Sequence, residues 1–355
     1  MRILVAGDAY CPADAFRRSF AGLADRHDVR FVDLHDDPSW APSTPSELRL
    51  KETMGTPGQL IKVIPGSDVL VVQGAAVTDA VLDAAPTLRL VCCARGGPAN
   101  VDLHAATERG IPVVTSPGKN ADAVAELAIA FMVMLARQLP TVMRYVEGGG
   151  QFGHDNYEGA RWFGHDLAGH TLGLIGFGQI GRRVAVRAQA FAMNVVAFDP
   201  FVDAQTIEAA GCRPVDLATL LREADVVSLH ARATNDNRGL IGRAEIAAMK
   251  PGVYLINTAR ETLVDEAALL DGLRSGHLAG VALDVASPSP ASGRHPLLAF
   301  PNVIIATHVG GATYETLHHG AEMLAAEVER LLADEPLLNS ANRADLRLRA
   351  ASGVA

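Results

Sequence analysis

Short, uninterrupted apolar runs alternate with longer amphipathic stretches from one end of this chain to the other, and few folds accept that pattern. Runs such as Ile3-Leu4-Val5-Ala6 and Val69-Leu70-Val71-Val72 are apolar on successive residues, so both faces of the strands they form must be covered. Strands are expected over 2–6, 29–34, 68–72, 88–93 and 112–116, with helical periodicity between them, as over 13–24 and 78–84. A second series starts at Thr171, with strands over 171–175, 194–198, 225–229, 253–257, 280–283 and 302–306. Alternating βα units build parallel sheets coated by helices on both sides. The fold class is therefore α/β, with two doubly wound parallel-sheet domains in tandem.

A chain of 355 residues is too long for one ordinary core and suits two. The stretch 121–139 reads as a long apolar helix ending before Pro140, able to span from one unit to the other. A Gly-rich polar stretch over 147–164 follows it. The last helix, over 314–332, is expected to return to the first unit. The expected domains are thus 1–119 plus 312–355, discontinuous, and 120–311. The tail over 343–355 has little to bury and is expected to be disordered. A net charge of −9 and a pI near 5.7 argue against nucleic acid or an anionic membrane as partner. No apolar run reaches bilayer length. Met1 leads straight into a strand with no signal-peptide pattern, so a cytoplasmic location is expected. Cys11, Cys92, Cys93 and Cys212 fit no zinc spacing; buried reduced thiols and no metal site are expected.

The clearest local motif is Gly176-Phe177-Gly178-Gln179-Ile180-Gly181, preceded by an apolar strand and followed by a helix. Glycine is 33 of 355 residues, so three at these offsets arise by chance about 0.3 times, and context must decide. Context is favourable. In such a turn the first glycine permits the tight bend, the second lets the backbone approach a pyrophosphate, and the third lets helix and strand pack closely. The helix N-terminus then offers free N–H groups to the phosphates. A second strand ends at Asp199, eighteen residues after Gly181, where an acid can accept hydrogen bonds from ribose hydroxyls. That acid favours NAD and would repel the 2′-phosphate of NADP. The alternative is an ordinary turn with Asp199 capping a strand end.

Further along stand Asn257-Thr258-Ala259-Arg260-Glu261, then Ala282-Leu283-Asp284-Val285, then Thr307-His308-Val309-Gly310-Gly311-Ala312-Thr313. With these pieces the chain resembles the D-isomer-specific 2-hydroxyacid dehydrogenases, which include phosphoglycerate, glycerate, D-lactate and formate dehydrogenases. The resemblance covers nearly the whole chain. Supporting pieces are Asn100-Val101-Asp102, Arg109-Gly110-Ile111-Pro112, Pro117-Gly118, Ala123-Val124-Ala125-Glu126 and Arg238-Gly239-Leu240-Ile241. It implies two Rossmann-like domains with an active-site cleft between them. By matching position, Arg260 grips the substrate carboxylate and polarises the keto oxygen. His308 is the proton donor to that oxygen, and Asp284 lies near the nicotinamide carboxamide. Gly96 and Gly97 form a loop whose N–H groups hold the carboxylate. His230, Thr258, Ala259 and Gly310 fall at cofactor positions. His230 and His295 match family positions that look structural.

These roles agree with elementary chemistry. Reducing a 2-keto acid leaves an alkoxide, which needs an acid titrating near neutrality beside it, and histidine meets that need. A guanidinium binds a carboxylate through two parallel hydrogen bonds that also fix its orientation. Simpler alternatives are that Arg260 pairs with Asp265 or Glu266, that His308 is a satisfied strand-end residue, and that Asp284 caps the turn to Pro288.

The chain departs from the family in four places. Relatives usually carry a glutamate five residues after the Asp284 position, paired with the catalytic histidine; here that residue is Ser289. A serine can orient the imidazole but cannot stabilise the imidazolium by charge. Formate dehydrogenases have an amide there and need no proton donor. Glu261, where the family often has glycine, is a candidate replacement carboxylate. Arg232 stands where a proline is common. Arg95, beside Gly96 and Gly97, is placed to read a second polar group on a hydroxylated or phosphorylated acid.

The expected function is NAD-dependent interconversion of a small D-2-hydroxy acid and its 2-keto acid, of the hydroxypyruvate, glyoxylate or phosphoglycerate kind. The expected assembly is a homodimer formed through the long helix and the Gly-rich segment after it. The rival is a catalytically slow NAD-sensing interaction protein of the corepressor type.

Overall fold

The structure, a computed structural model, describes residues 1–150, 157–288, 293–343 and 346. Two compact units emerge, Met1–Lys119 with Thr313–Ala355, and Asn120–Ala312.

The first unit holds a five-stranded, all-parallel sheet: β1 (Arg2–Gly7), β2 (Asp28–Asp33), β3 (Val69–Val72), β4 (Leu90–Cys93) and β5 (Val113–Thr115). Their order is β2-β1-β3-β4-β5. The central strands β3 and β4 are buried at every position, as continuous apolar runs require. The helical pattern over 13–24 forms only two four-residue helices, Asp14–Arg17 and Ala21–Ala24. Phe16 and Phe20 still pack edge to face under the sheet. The helix Tyr314–Leu332 belongs to this unit and buries Ala321, Leu324 and Val328 against β4 and β5. Beyond it the chain pairs onto β5. Thr115 N–H donates to Asn339 O (3.1 Å), Ala341 N–H to Val113 O (2.7 Å), and the fully buried Glu327 accepts from the N–H groups of Leu338 and Asn339. Most of the 343–355 tail, expected to be disordered, lies outside the described residues.

The second unit holds a seven-stranded parallel sheet: β6 (Thr171–Ile175), β7 (Asn194–Phe198), β8 (Arg213–Pro214), β9 (Val226–Leu229), β10 (Val253–Asn257), β11 (Leu278–Leu283) and β12 (Val303–Ile305). The order is β12-β11-β10-β9-β6-β7-β8, so the winding reverses between β6 and β9. The sheet packs on Ala121–Ala136 and Gln179–Ala190 on one face, and on Leu217–Glu223 and Glu266–Arg274 on the other. Two doubly wound sheets are thus observed as expected, with the two-residue edge strand β8 an addition that sequence pattern did not disclose.

The long apolar helix differs from expectation in a way that Pro140 explains. It ends at Ala136, Gln138 turns left-handed (φ 53°), and a new helix runs Leu139–Glu147 with Pro140 in its first turn. Proline has no N–H to give Ala136 O, four residues back. His165 N–H takes that carbonyl instead (2.8 Å). Among the described residues no single helix is long and apolar enough to cross a membrane. The four cysteines are buried and unbridged, and burial pushes the thiols of Cys11 and Cys93 up to about 12.

Candidate active site

In the second unit the candidate residues gather along one edge, at the C-terminal ends of β6, β7, β9, β10, β11 and β12. In open α/β sheets this edge, next to the winding reversal, is where ligands bind. The loops after β6 and β9 touch there. Gly176 has φ 97°, and a Cβ on it would lie 2.6 Å from Ala231 N and 2.7 Å from the His230 carbonyl carbon. Only glycine permits that crossing. A Cβ on Gly181 would collide with Gly176 O, so the helix Gln179–Ala190 can lie close to β6. Gly178 faces open space, and no side chain caps this helix. The N–H groups of Gln179, Ile180 and Gly181 therefore have no acceptors among the described residues. Asp199 ends β7 half-buried and accepts from Phe177 N–H (2.7 Å) and Phe201 N–H (2.9 Å). It braces the glycine turn and keeps lone pairs for a further donor. An open glycine turn, an uncapped helix start and an acid at the next strand end fit a dinucleotide.

His230 follows β9, with Nε2 2.9 Å from Ser228 Oγ and Nδ1 3.4 Å from Thr258 Oγ1. Its ring keeps some surface access but is enclosed by protein, and burial lowers its pKa to about 4. Thr258, Ala259 and Arg260 form a turn after β10 that the buried Asn257 pins from both sides. Ala259 N–H donates to Asn257 Oδ1 (3.0 Å), and Asn257 Nδ2 donates to Arg260 O (2.8 Å). Asn257 was not singled out from sequence; an amide ending an apolar strand was the available signal. Arg260 is exposed, and among the described residues its guanidinium donates only to Ala259 O (2.7 Å). It does not pair with Asp265, which caps the helix Glu266–Arg274, or with Glu266, which lies 3.4 Å from His295. His295 caps the Pro296–Ala299 turn, its Nδ1 accepting from Leu297 N–H (3.3 Å).

Asp284 organises the loop after β12. Its backbone O accepts from His308 N–H (2.9 Å), Oδ1 from Val309 N–H (2.8 Å) and Oδ2 from Gly310 N–H (2.8 Å). One buried residue thus collects three consecutive N–H groups, and it does not cap a turn toward Pro288. The tight loop places His308 at φ 60°, a conformation that costs a non-glycine residue about 1–2 kcal/mol. Such strain clusters at functional positions. A Cβ on Gly310 would lie 2.7 Å from Asp284 Oδ2, which explains that glycine. His308 is exposed, and its imidazole hydrogen-bonds to none of the described residues, Glu261 included. Ser289, the expected histidine partner, lies outside the described residues. Arg232 is exposed, and among the described residues only its carbonyl is engaged, by Asn237.

In the first unit Arg95, Gly96 and Gly97 follow β4. Gly96 and Gly97 are exposed, face open space and offer N–H groups that no described residue accepts. Arg95 is not free, because it donates to Glu52 O (2.8 Å) and forms an ion pair with the Glu52 carboxylate.

Comparison with known proteins agrees with this geometry. Residues 129–310 match the family model for the D-isomer specific 2-hydroxyacid dehydrogenase, NAD binding domain. The chain is 38% identical to a D-3-phosphoglycerate dehydrogenase of Archaeoglobus fulgidus, over 80% of this chain and 53% of the relative. It is 40% identical to a hydroxypyruvate reductase of Thermotoga maritima, over 72% of this chain and 82% of that one. A crystal structure of a Thermus thermophilus protein superposes with a TM-score of 0.76 at 34% identity, covering 96% of this chain and all of the other. The chain spans about half the length of the phosphoglycerate dehydrogenases it matches. A dinucleotide edge of this form, continuous with a match over half its length, places the chain in the D-isomer specific 2-hydroxyacid dehydrogenase family, with a nicotinamide cofactor.

Proposed function

We propose that this chain is an NAD-dependent oxidoreductase interconverting a small D-2-hydroxy acid and its 2-keto acid. The observation that carries the reading is the Asp284 clamp. It presents His308 on an exposed, strained turn along the same sheet edge as Arg260 and the open glycine turn. A bound nicotinamide supplies or accepts the hydride at C2. Arg260, with no competing carboxylate among the described residues, binds the substrate carboxylate bidentately and draws charge from the keto oxygen. His308 Nε2 or Nδ1 gives that oxygen its proton in reduction and removes it in oxidation. Gly96 and Gly97 contribute N–H groups to substrate binding. Asp284 holds the histidine turn and has lone pairs left for the carboxamide. Position 289 carries serine and so adds no charge beside the imidazole, and reduction is expected to fall off at a lower pH than in relatives with glutamate.

The negative charge of Asp199 supports NAD over NADP, whose 2′-phosphate it would repel. Exposed Met143 and Phe163, in and after the helix Leu139–Glu147, support a homodimer. The test is NADH oxidation with glyoxylate, hydroxypyruvate, 3-phosphohydroxypyruvate and pyruvate. Turnover with at least one is expected. Tight NADH binding with no turnover on any would overturn the enzyme reading in favour of an NAD-sensing protein.

A further inference from the structure

In the first unit the loops after β1, β3, β4 and β5 share one edge of the sheet, and their charges are unequally matched. Asp8, after β1, is buried and accepts three backbone N–H groups, from Tyr10 (3.0 Å), Cys11 (2.9 Å) and Gly74 (2.8 Å). Arg95, after β4, is held by Glu52. Lys119, after β5, is different. It is half-buried, close to the buried thiols of Cys11 and Cys93 and within electrostatic reach of Arg95 and Asp8, yet its ammonium has no hydrogen bond and no ion pair with any described residue. Burial pushes its pKa below the usual lysine value.

The position of Lys119 is built. Lys119 N–H donates to Ser116 O (3.4 Å), Ser116 N–H to Arg95 O (2.8 Å), and Ser116 Oγ to Gly320 O (3.2 Å). The lysine stem lies over Gly320 of the helix Tyr314–Leu332, where a Cβ would come 2.9 Å from Lys119 Cδ. A half-buried cation with no direct ion-pair partner is costly unless an anion arrives to pair with it. The same edge carries the open, unpaired N–H groups of Gly96 and Gly97. A long cation and two N–H donors on one edge suit a ligand with two anionic groups.

We propose that Lys119 is a specificity-determining residue that binds a second anionic group, a phosphate or carboxylate at the far end of the substrate from its 2-keto acid. This rests on the oxidoreductase reading above and assigns its substrate class, a dianionic 2-keto acid. It also moves the reading of that group from Arg95, which Glu52 holds, to Lys119.

The experiment compares matched substrates, 3-phosphohydroxypyruvate against hydroxypyruvate and 2-oxoglutarate against 2-oxobutyrate, in the parent, Lys119→Met and Lys119→Arg. Methionine keeps the stem over Gly320 and removes the charge. The expected result is that Lys119→Met lowers the ratio of kcat/KM for dianion over monoanion by about 10- to 100-fold, as loss of one charged hydrogen bond does. Lys119→Arg should restore most of it. The phosphate and carboxylate pairs show which group the site takes. An unchanged ratio in both pairs, or an equal loss on both members, overturns the proposal. If the parent turns over no substrate, the oxidoreductase reading fails separately. Thermal stabilisation by 3-phosphohydroxypyruvate, beyond that by hydroxypyruvate, then decides. If it is present in the parent and absent in Lys119→Met the proposal stands, and if both proteins respond alike it falls.

Discussion

The two parallel sheets end in edges built on opposite plans. In the second unit the edge at the winding reversal is left open: Gly178 faces space and, among the described residues, the N–H groups after it lack acceptors and the exposed Arg260 and His308 have no carboxylate partners. In the first unit the corresponding reversal, between β1 and β3, is closed from within. Asp8 receives Gly74 N–H across it, and Arg95 is tied to Glu52. The difference teaches that a winding reversal in a parallel sheet does not by itself set where a ligand binds. What sets it is whether the loop residues at the reversal satisfy one another or leave donors and charges unmatched. On the closed edge Gly96, Gly97 and Lys119 remain unmatched among the described residues, as does the buried Oε1 of Gln73 after β3.

The largest expected effects break this comparison directly. His308→Gln should lower kcat/KM for keto-acid reduction by about 10²- to 10⁴-fold, and Arg260→Met by a similar factor, with NADH binding retained by fluorescence. Arg95→Met, on the closed edge, should cost only about 10-fold, because its guanidinium is already engaged. An Arg95→Met loss as deep as that of Arg260→Met would erase the distinction.

Glycines make the next test. Gly176→Ala forces a Cβ into backbone at positive φ and should destabilise the second unit by about 1–3 kcal/mol while weakening NADH binding. Gly96→Ala meets open space and should leave the chemical denaturation midpoint unchanged. A matched loss for both would show that the Gly96 loop is not open.

Acid should load the two units in opposite directions. The pKa of His230 is depressed to about 4, so the unfolded chain binds its proton first. That contribution to stability is intact above pH 6.5 and is lost as pH falls toward 4, by about 3 kcal/mol in all. Burial raises the carboxyl of Asp8 above its ordinary value, so charging it costs stability at neutral pH and acid relieves that cost. Hydrogen exchange should therefore show β6 and β9 losing protection before β1 and β3 as pH drops to 4. His230→Gln should remove the difference. The smallest effect concerns Ser289→Glu, which should move the high-pH limb of reduction upward by up to about one pH unit, since a carboxylate stabilises the protonated imidazole. An unmoved profile would show that the missing charge at 289 is immaterial.

Much of the molecule was legible in the sequence because its signals are local. Strands 171–175, 194–198 and 253–257 and the helix over 314–332 occur at the expected residues, since uninterrupted apolar runs and a long 3.6-residue period admit no other assignment. The glycine spacing announced the turn at 176–181. Other features were not legible because they depend on partners distant in the chain. Nothing near Ala136 says that His165 will take the carbonyl Pro140 leaves open. Nothing near Arg95 names Glu52, and nothing near Asp284 shows that three amides 24 to 26 residues away will converge on it.

The sequence by itself determined the fold class, the dinucleotide turn and the identity of the candidate acid, base and arginine, because period, spacing and side-chain type are properties of short segments. Only the tertiary structure decided which of those charges are already satisfied. A carboxylate or a lysine is free or engaged according to what the fold brings within about 3 Å of it. That is why Arg95, prominent in the sequence, is tied down, and Lys119, silent in the sequence, is left without a partner among the described residues.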